Sequence, residues 1–466
     1  MIMAISFKHK FMLCGAFSGL LLCAGPAGSQ TLTEALAAAY MNNPELLAAR
    51  AGVRATDEAV PTALASWRPT VTLSSGVDRS FTHLNTRTAN RDQVRSPRDA
   101  AVSLSQPLFR GFRTVAGLSK AEFDVKSARA SLLAKEQGVL LSAATAFMAV
   151  LRDQAILDLK IKNSQVLKRQ LEATQDRFRV GEITRTDVSQ AEARVARAAA
   201  DRIQSEGSLN NSRANYLNII GEASGKLAAS SNIGVLPISL EAAIKAATFR
   251  HPNVISKSYE ERASRENIKT VRGELLPTLS LAGSINRSWE TATNDSQLTT
   301  GKIGVDFSIP LYQKGFVYAR LRAAKQSAGQ SSLLLEGARR DAREAAAKSW
   351  EALETAKARI KSFSAQIKAS KIALEGVQRE AAVGSRTVLD VLDAEQELLD
   401  AKVNLVGANR DQLVASFQLQ ESVGNLTAKN LGLPVKIYDP ATHYEEVRAK
   451  WFGSNSSGQN PSDPRK

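Results

Sequence analysis

The sequence predicts an α+β membrane chain built on a two-fold internal repeat, with barrel-type strands set between long coiled-coil helices. Three observations carry this. A thirteen-residue stretch occurs twice with seven positions identical, V-G-E-I-T-R-T-D-V-S-Q-A-E over 180–192 and V-G-S-R-T-V-L-D-V-L-D-A-E over 383–395. Each copy follows a helical pattern of about 65 residues, which would span ~100 Å, too long for one compact domain. Stretches alternating apolar with polar residues stand at matching places in the two halves.

Each repeated stretch has the chemistry of one helix stopping and another starting. Gly181 and Gly384 follow the long helices, where a left-handed residue ends a helix at little steric cost. Arg177 and Arg179 sit in the turn before Gly181, where cations complement exposed carbonyls. Thr184 with Asp187, and Thr387 with Asp390, have the T-x-x-D spacing of a capping box that opens the next helix. The tips at 180–192 and 383–395 are therefore tight turns between antiparallel helices.

Residues 1–29 read as a cleaved signal peptide. Lys8 and Lys10 form its basic start, Phe11 to Cys23 its apolar run, and Ala27-Gly28-Ser29 a small-residue cleavage site. That run is too short to span a bilayer as a helix. Both cysteines lie within it, so the mature chain is expected to hold neither disulfides nor cysteine metal sites. Removing the two leader lysines lowers the net charge from +15 to +13. The Lys and Arg residues are interleaved with Asp and Glu along helices, which describes a solvated helix surface and not a nucleic-acid site.

The first repeat is read over 30–237. Thr31 and Glu34 form a capping box opening an alanine-rich helical region that runs to Trp67 with breaks at Pro44 and Pro61. A β-hairpin over 70–110 follows. Val71, Leu73, Val77 and Phe81 mark its first strand, 83–99 a polar loop, and Val102 and Leu104 a second strand ending at Pro107. Next come the long helix, with apolar residues every seven at Leu118, Val125, Leu132 and Val139, then the tip, then a shorter helix to Gly221. The two short helical regions, ~50 Å and ~55 Å, together match the long helix, so they are expected to stack end to end beside it.

The second repeat is read over 238–435. Leu32, Ala35, Pro44 and Pro69 reappear 208 residues on, and Phe147, Gly181 and Gly221 are matched 203 residues on by Trp350, Gly384 and Gly424. Its hairpin, 278–310, alternates through Leu279, Leu281, Ile285 and Trp289, then Ile303, Val305, Phe307 and Ile309. The second long helix carries the clearest seam of threes and fours: Leu353, Ala356, Ile360, Phe363, Ile367, Ser370, Leu374, Val377. Residues 436–466 form a polar tail expected to be disordered.

Four strands per chain cannot close a barrel, and an open edge in hydrocarbon leaves backbone groups unpaired at several kcal/mol each. Either the strands stay out of the membrane or several chains share one barrel. Three chains would supply twelve strands.

The repeat, the Pro107-Leu108-Phe109 and Pro310-Leu311-Tyr312 junctions and the second tip resemble the TolC-type outer-membrane efflux protein family over about residues 31–435. The tip V-G-S-R-T-V-L-D-V-L departs from the family's V-G-T-R-T-x-x-D-V-L only at Ser385. The resemblance implies a homotrimer with a twelve-stranded β-barrel in the outer membrane of a Gram-negative bacterium, continued by an α-helical barrel across the periplasm. It implies export of proteins or small toxic compounds with a periplasmic adaptor and an inner-membrane ABC or RND-type transporter. The tips at Gly181, Thr184, Gly384 and Thr387 would dock the adaptor. Asp187 and Arg386 would join a network holding the entrance shut, while Asp390 and Asp393 would project carboxylate rings into it. Crowding of those carboxylates would raise their pKa values in the closed state and favour cations. Ala381 stands where the family leads one to expect a tyrosine, which removes one closing hydrogen bond. Asp187 and Asp390 also have capping duties, leaving Asp393 as the stronger pore-lining choice.

Phe81, Phe109, Trp289, Tyr312 and Phe316 lie near strand ends and suit belts at the membrane interface, with plain junction packing as the rival for Phe109 and Tyr312. No cofactor or metal is expected, and no enzyme: His83, His251 and His443 are scattered, with no P-loop or nucleophile elbow. A periplasmic trimeric coiled-coil scaffold or adhesin without a pore is the alternative function. It explains the heptads but not four alternating strands at matched positions.

Overall fold

The computed structural model describes residues 30–228, 235–293 and 295–454. The predicted signal peptide and the last twelve residues of the tail lie outside these. The chain opens with three short helices, α1 (Leu32–Asn42), α2 (Pro44–Asp57) and α3 (Ala59–Ala65). Thr31 and Glu34 form a complete capping box at α1. Asn43 caps α2 through its side-chain oxygen, with Pro44 in the first turn. The second break falls at Glu58 and not at Pro61. Pro61 lies in the first turn of α3, where its missing N–H would have had no helical partner.

Strands β1 (Thr70–Val77), β2 (Ser80–Thr86), β3 (Ala89–Arg95) and β4 (Arg98–Arg110) follow. The expected polar loop over 83–99 is thus largely a second hairpin, β2 with β3, paired from Ser80↔Arg95 to Thr86↔Ala89. Its strands are mostly polar on both faces, so no alternation betrays them. Strand β4 runs through Pro107 to Arg110, and a register shift between Pro107 and Phe109 accommodates the missing donor.

The helix α4 (Arg113–Arg179), 67 residues long, descends from β4 to the first tip, and α5 (Arg185–Ile220) returns. The second half repeats the plan. It comprises α6 (Leu240–Arg250), α7 (Pro252–Arg272), β5 (Thr278–Trp289), β6 (Gln297–Ser308), α8 (Phe316–Ala382) and α9 (Val388–Ser422). Both long helices have 67 residues. The returning helices meet the joints between the short ones. Asn43 Nδ2 donates to the Ile219 carbonyl at the end of α5 (3.0 Å), and His251 faces Glu421 near the end of α9 (3.8 Å). Gly424 there has φ +80°, and a Cβ would sit 2.7 Å from the Arg250 carbonyl, so only glycine allows the close approach. Short helices and returning helix therefore stack end to end beside each long one.

The main core lies midway along α4, where Leu140 and Phe147 pack with Tyr40, Leu46, Tyr216 and Phe417. Along α8 the predicted seam from Leu353 to Val377 is buried or half-buried at every position, whereas the residues between, Gly376 apart, are exposed. Phe178, at the foot of α4, is by contrast 42% exposed.

The tail expected to be disordered is ordered as far as Ser454. It forms α10 (Ala441–Arg448), anchored where the His443 ring meets the buried Asp57 carboxylate (3.1 Å). Burial lifts the Asp57 carboxyl above its usual range, and the His443 hydrogen bond and Arg129 oppose that rise. Polar composition concealed the segment, because a few side chains reaching across the chain hold it.

Candidate functional site

Two features organise the functional surface: the four-stranded sheet at one end of the long helices and the paired tips at the other. The sheet order is β1-β4-β5-β6, antiparallel throughout. Register places Leu73, Val102, Ile285 and Gly301 side by side, and next to them Val71, Leu104, Gly283 and Ile303. These residues share one face, and their large side chains are open: Leu73 is 75% exposed and Ile303 82%. The other face carries small or polar rows such as Thr72, Ser103, Ser284 and Lys302. One apolar and one polar face is the pattern of a barrel wall between lipid and water.

At the first tip, Gly181 takes φ +80° and Thr184 starts α5 with a complete capping box. Its hydroxyl accepts from the Asp187 N–H and the Asp187 carboxylate accepts from the Thr184 N–H. The second tip copies this: Gly384 has φ +77°, and Thr387 and Asp390 form the same box at α9. Asp187 and Asp390 therefore do hold their helix starts. The Thr387 N–H, and then its hydroxyl, pull the Asp390 carboxyl below its usual range. Within one chain this opposes the rise expected from crowding.

Arg386 does not meet Asp187 within the chain. Its Nε donates to Glu380 Oε2 (2.9 Å) across the turn of its own tip. The first tip has a comparable staple with the charges reversed, Arg177 Nε to Glu182 Oε2 (3.0 Å). Asp393 is not a lone carboxylate: Arg194 of α5 reaches it at 2.5 Å, joining the two hairpins. Beneath that bridge Leu167, Ala198, Val388 and Leu392 pack together. Ala381 is buried in the last turn of α8 and offers no polar group. Glu395, which closes the repeated stretch, is also buried. Desolvation lifts its carboxyl above the usual range, and only a hydrogen bond from Gln378 opposes it.

A two-part chain with these tips and this sheet can be compared with known proteins. The model of the family described as "Outer membrane efflux protein" matches residues 35–222 and 243–425, one span in each half. The chain belongs to that family. This efflux protein is 36% identical to outer membrane efflux protein BepC of Brucella suis over 437 residues, covering 94% of each chain. It is 29% identical to outer membrane protein TolC of Vibrio cholerae, covering 86% of this chain and 92% of TolC. In fold it is similar to the Campylobacter jejuni CmeC outer membrane channel (TM-score 0.78, 16% identity, covering 90% of this chain and 89% of that one).

The aromatic residues of the efflux protein divide between two levels. Phe109 packs edge-on against Phe112 (5.1 Å), and Tyr312 and Phe316 are exposed, all where the sheet meets the long helices. Trp289 lies at the opposite end of β5 with the Arg287 guanidinium over its ring (5.2 Å). Phe81 is 73% exposed in β2, beyond the four-stranded sheet. Sequence reasoning missed Glu380, Arg194 and Glu395 as partners or buried charges of the tips. Glu380 had a signal, since it stands 203 residues after the stapling Arg177. Arg194 had none, because its partner is 199 residues away.

Proposed function

We propose that three copies of this efflux protein assemble into one outer-membrane channel-tunnel, its helices reaching into the periplasm. The carrying observation is the open sheet. Strands β1 and β6 are its free edges. β1 runs away from the helices and β6 back toward them, so the edges of adjacent copies meet antiparallel and an even-stranded barrel closes without a parallel seam. Unclosed, each unpaired backbone group in hydrocarbon would cost several kcal/mol. A pore-less coiled-coil scaffold would leave the apolar face of the sheet in water.

In this reading the polar face lines the conduit with small side chains, which pass cargo without selecting it chemically. The tips form the periplasmic entrance, where the adaptor docks and an inner-membrane pump delivers cargo. Gly181, Thr184, Gly384 and Thr387 shape the turns, Arg386 and Asp187 brace them, and Asp390 and Asp393 supply negative charge. The relatives include an alkaline protease secretion protein of Pseudomonas aeruginosa and a cobalt-zinc-cadmium resistance protein of Cupriavidus metallidurans. We assign efflux here because BepC, an efflux protein by name, matches at higher identity than either. The test is native mass and planar-bilayer recording on detergent-purified protein, then crosslinked co-purification of adaptor and pump. A monomer that passes no ions would refute the assembly, and co-purification with a protease exporter alone would refute the cargo.

A further inference from the structure

We propose that the ordered C-terminal segment is a membrane-surface anchor, which seats Trp451 and Phe452 in the periplasmic phospholipid leaflet beside the barrel. The proposal rests on the reading that the four-stranded sheet lies in the outer membrane. The segment climbs toward the sheet. His443 meets Asp57 at the end of α2, and Arg448 reaches Glu122 (3.2 Å), nine residues or about 14 Å along α4 from its start. The Lys450 carbonyl then accepts from Arg68 (2.7 Å), two residues before β1. There the indole of Trp451 lies under the Arg68 guanidinium, 4.7 Å from ring centroid to charge.

Beyond that clamp Trp451 is 59% and Phe452 87% exposed, and Trp67 on the adjoining turn is 43% exposed. Three large aromatic rings left open at one level are costly in water but fit the headgroup layer, where amphipathic rings with cationic neighbours concentrate. Val71, the first residue of the sheet's apolar face and four residues after Trp67, is 67% exposed. Arg68 adds positive charge suited to anionic phospholipid, while Arg448 is neutralised by Glu122. The fixed backbone contact at Arg68 holds the rings at a constant depth below the first strand.

The experiment uses the four tryptophans of the full chain: Trp67, Trp289, Trp350 and Trp451. Reporters retaining one each, the others changed to Phe, are reconstituted in phosphatidylethanolamine/phosphatidylglycerol vesicles containing brominated lipid. Trp451 emission should fall about twofold with bromine near the headgroup end of the acyl chain, and less with bromine near the methyl end. Trp350, in the body of α8, should be unaffected, and Trp289 should be quenched as the barrel's own marker. Quenching of Trp289 without Trp451 overturns the anchor, whereas loss of both refutes membrane insertion of the sheet itself. Dissociation of the oligomer by Trp451→Ser with no lipid quenching would show the rings covered by a neighbouring copy, which also overturns it. Should the triple Phe chain not fold, Trp451→Phe in the native background must reduce quenching by the shallow bromine to what Trp67 and Trp289 contribute, and an unchanged shallow component overturns the proposal.

Discussion

The bridge between Arg194 and Asp393 makes a prediction that runs against intuition about a carboxylate ring. Removing the cation, by Arg194→Ala, should increase the preference for cations at the entrance because Asp393 loses its neutralising partner. Removing the anion, by Asp393→Ala, should weaken cation selectivity and block by multivalent cations. The pair is short, 2.5 Å, but Asp393 is 58% exposed and Arg194 26%, so solvent screens it. Pairs of this kind contribute ~0.5–1 kcal/mol. Three pairs separating together would shift the closed-to-open balance by about 1.5–3 kcal/mol, roughly ten- to a hundredfold. Single-channel recording in planar bilayers gives the open probability, and reversal potentials in a salt gradient give the selectivity. The double variant closes a thermodynamic cycle, with an expected coupling of ~0.5–1 kcal/mol per pair. Additivity within about 0.3 kcal/mol, or a fall in cation preference for Arg194→Ala, would sink the reasoning.

Arg386→Ala should raise the closed-state conductance, because it removes the staple to Glu380; an unchanged closed state would take Arg386 out of the latch. Gly384→Ala should destabilise the tip by ~1 kcal/mol from backbone strain alone, since a Cβ there would meet nothing within 4 Å. Gly424→Ala adds a clash with the Arg250 carbonyl and should cost more, so thermal unfolding in detergent must rank the two in that order. For Glu395 the fold binds the proton more tightly than the unfolded chain does, so its contribution is full below the unfolded pKa and is lost as pH rises through the folded one. Glu395→Gln should therefore protect the α8–α9 tip from hydrogen exchange by about 1 kcal/mol at pH 8 and by nothing near pH 4. Equal protection at both pH values would contradict the buried charge.

Local signals were legible and tertiary ones were not. The capping boxes at Thr184 and Thr387 could be read because all their atoms lie within four residues, and the α8 seam because its spacing repeats. The strands β4, β5 and β6 announced themselves by alternation, since one of their faces is apolar. The hairpin of β2 and β3 hid because most of its residues are polar on both faces. Helix α10 hid because its docking depends on Asp57, 386 residues away in sequence. At the tips the glycines and caps were visible, but the electrostatic partners were missed. Arg386 turned to Glu380 across its own turn, a partner that the match to Arg177 signals, whereas Asp393 turned to Arg194, a choice decided by how the hairpins pack.

The opposite polarity of the two staples has a consequence for any docking partner. Arg177 with Glu182 and Glu380 with Arg386 shape two turns of like backbone but unlike charge. Three such chains arranged in a circle would offer six landing points of two alternating kinds. A ligand with six identical feet would then fit only every second one well, so recognition at such a crown would obey three-fold rules even though its outline would be hexagonal.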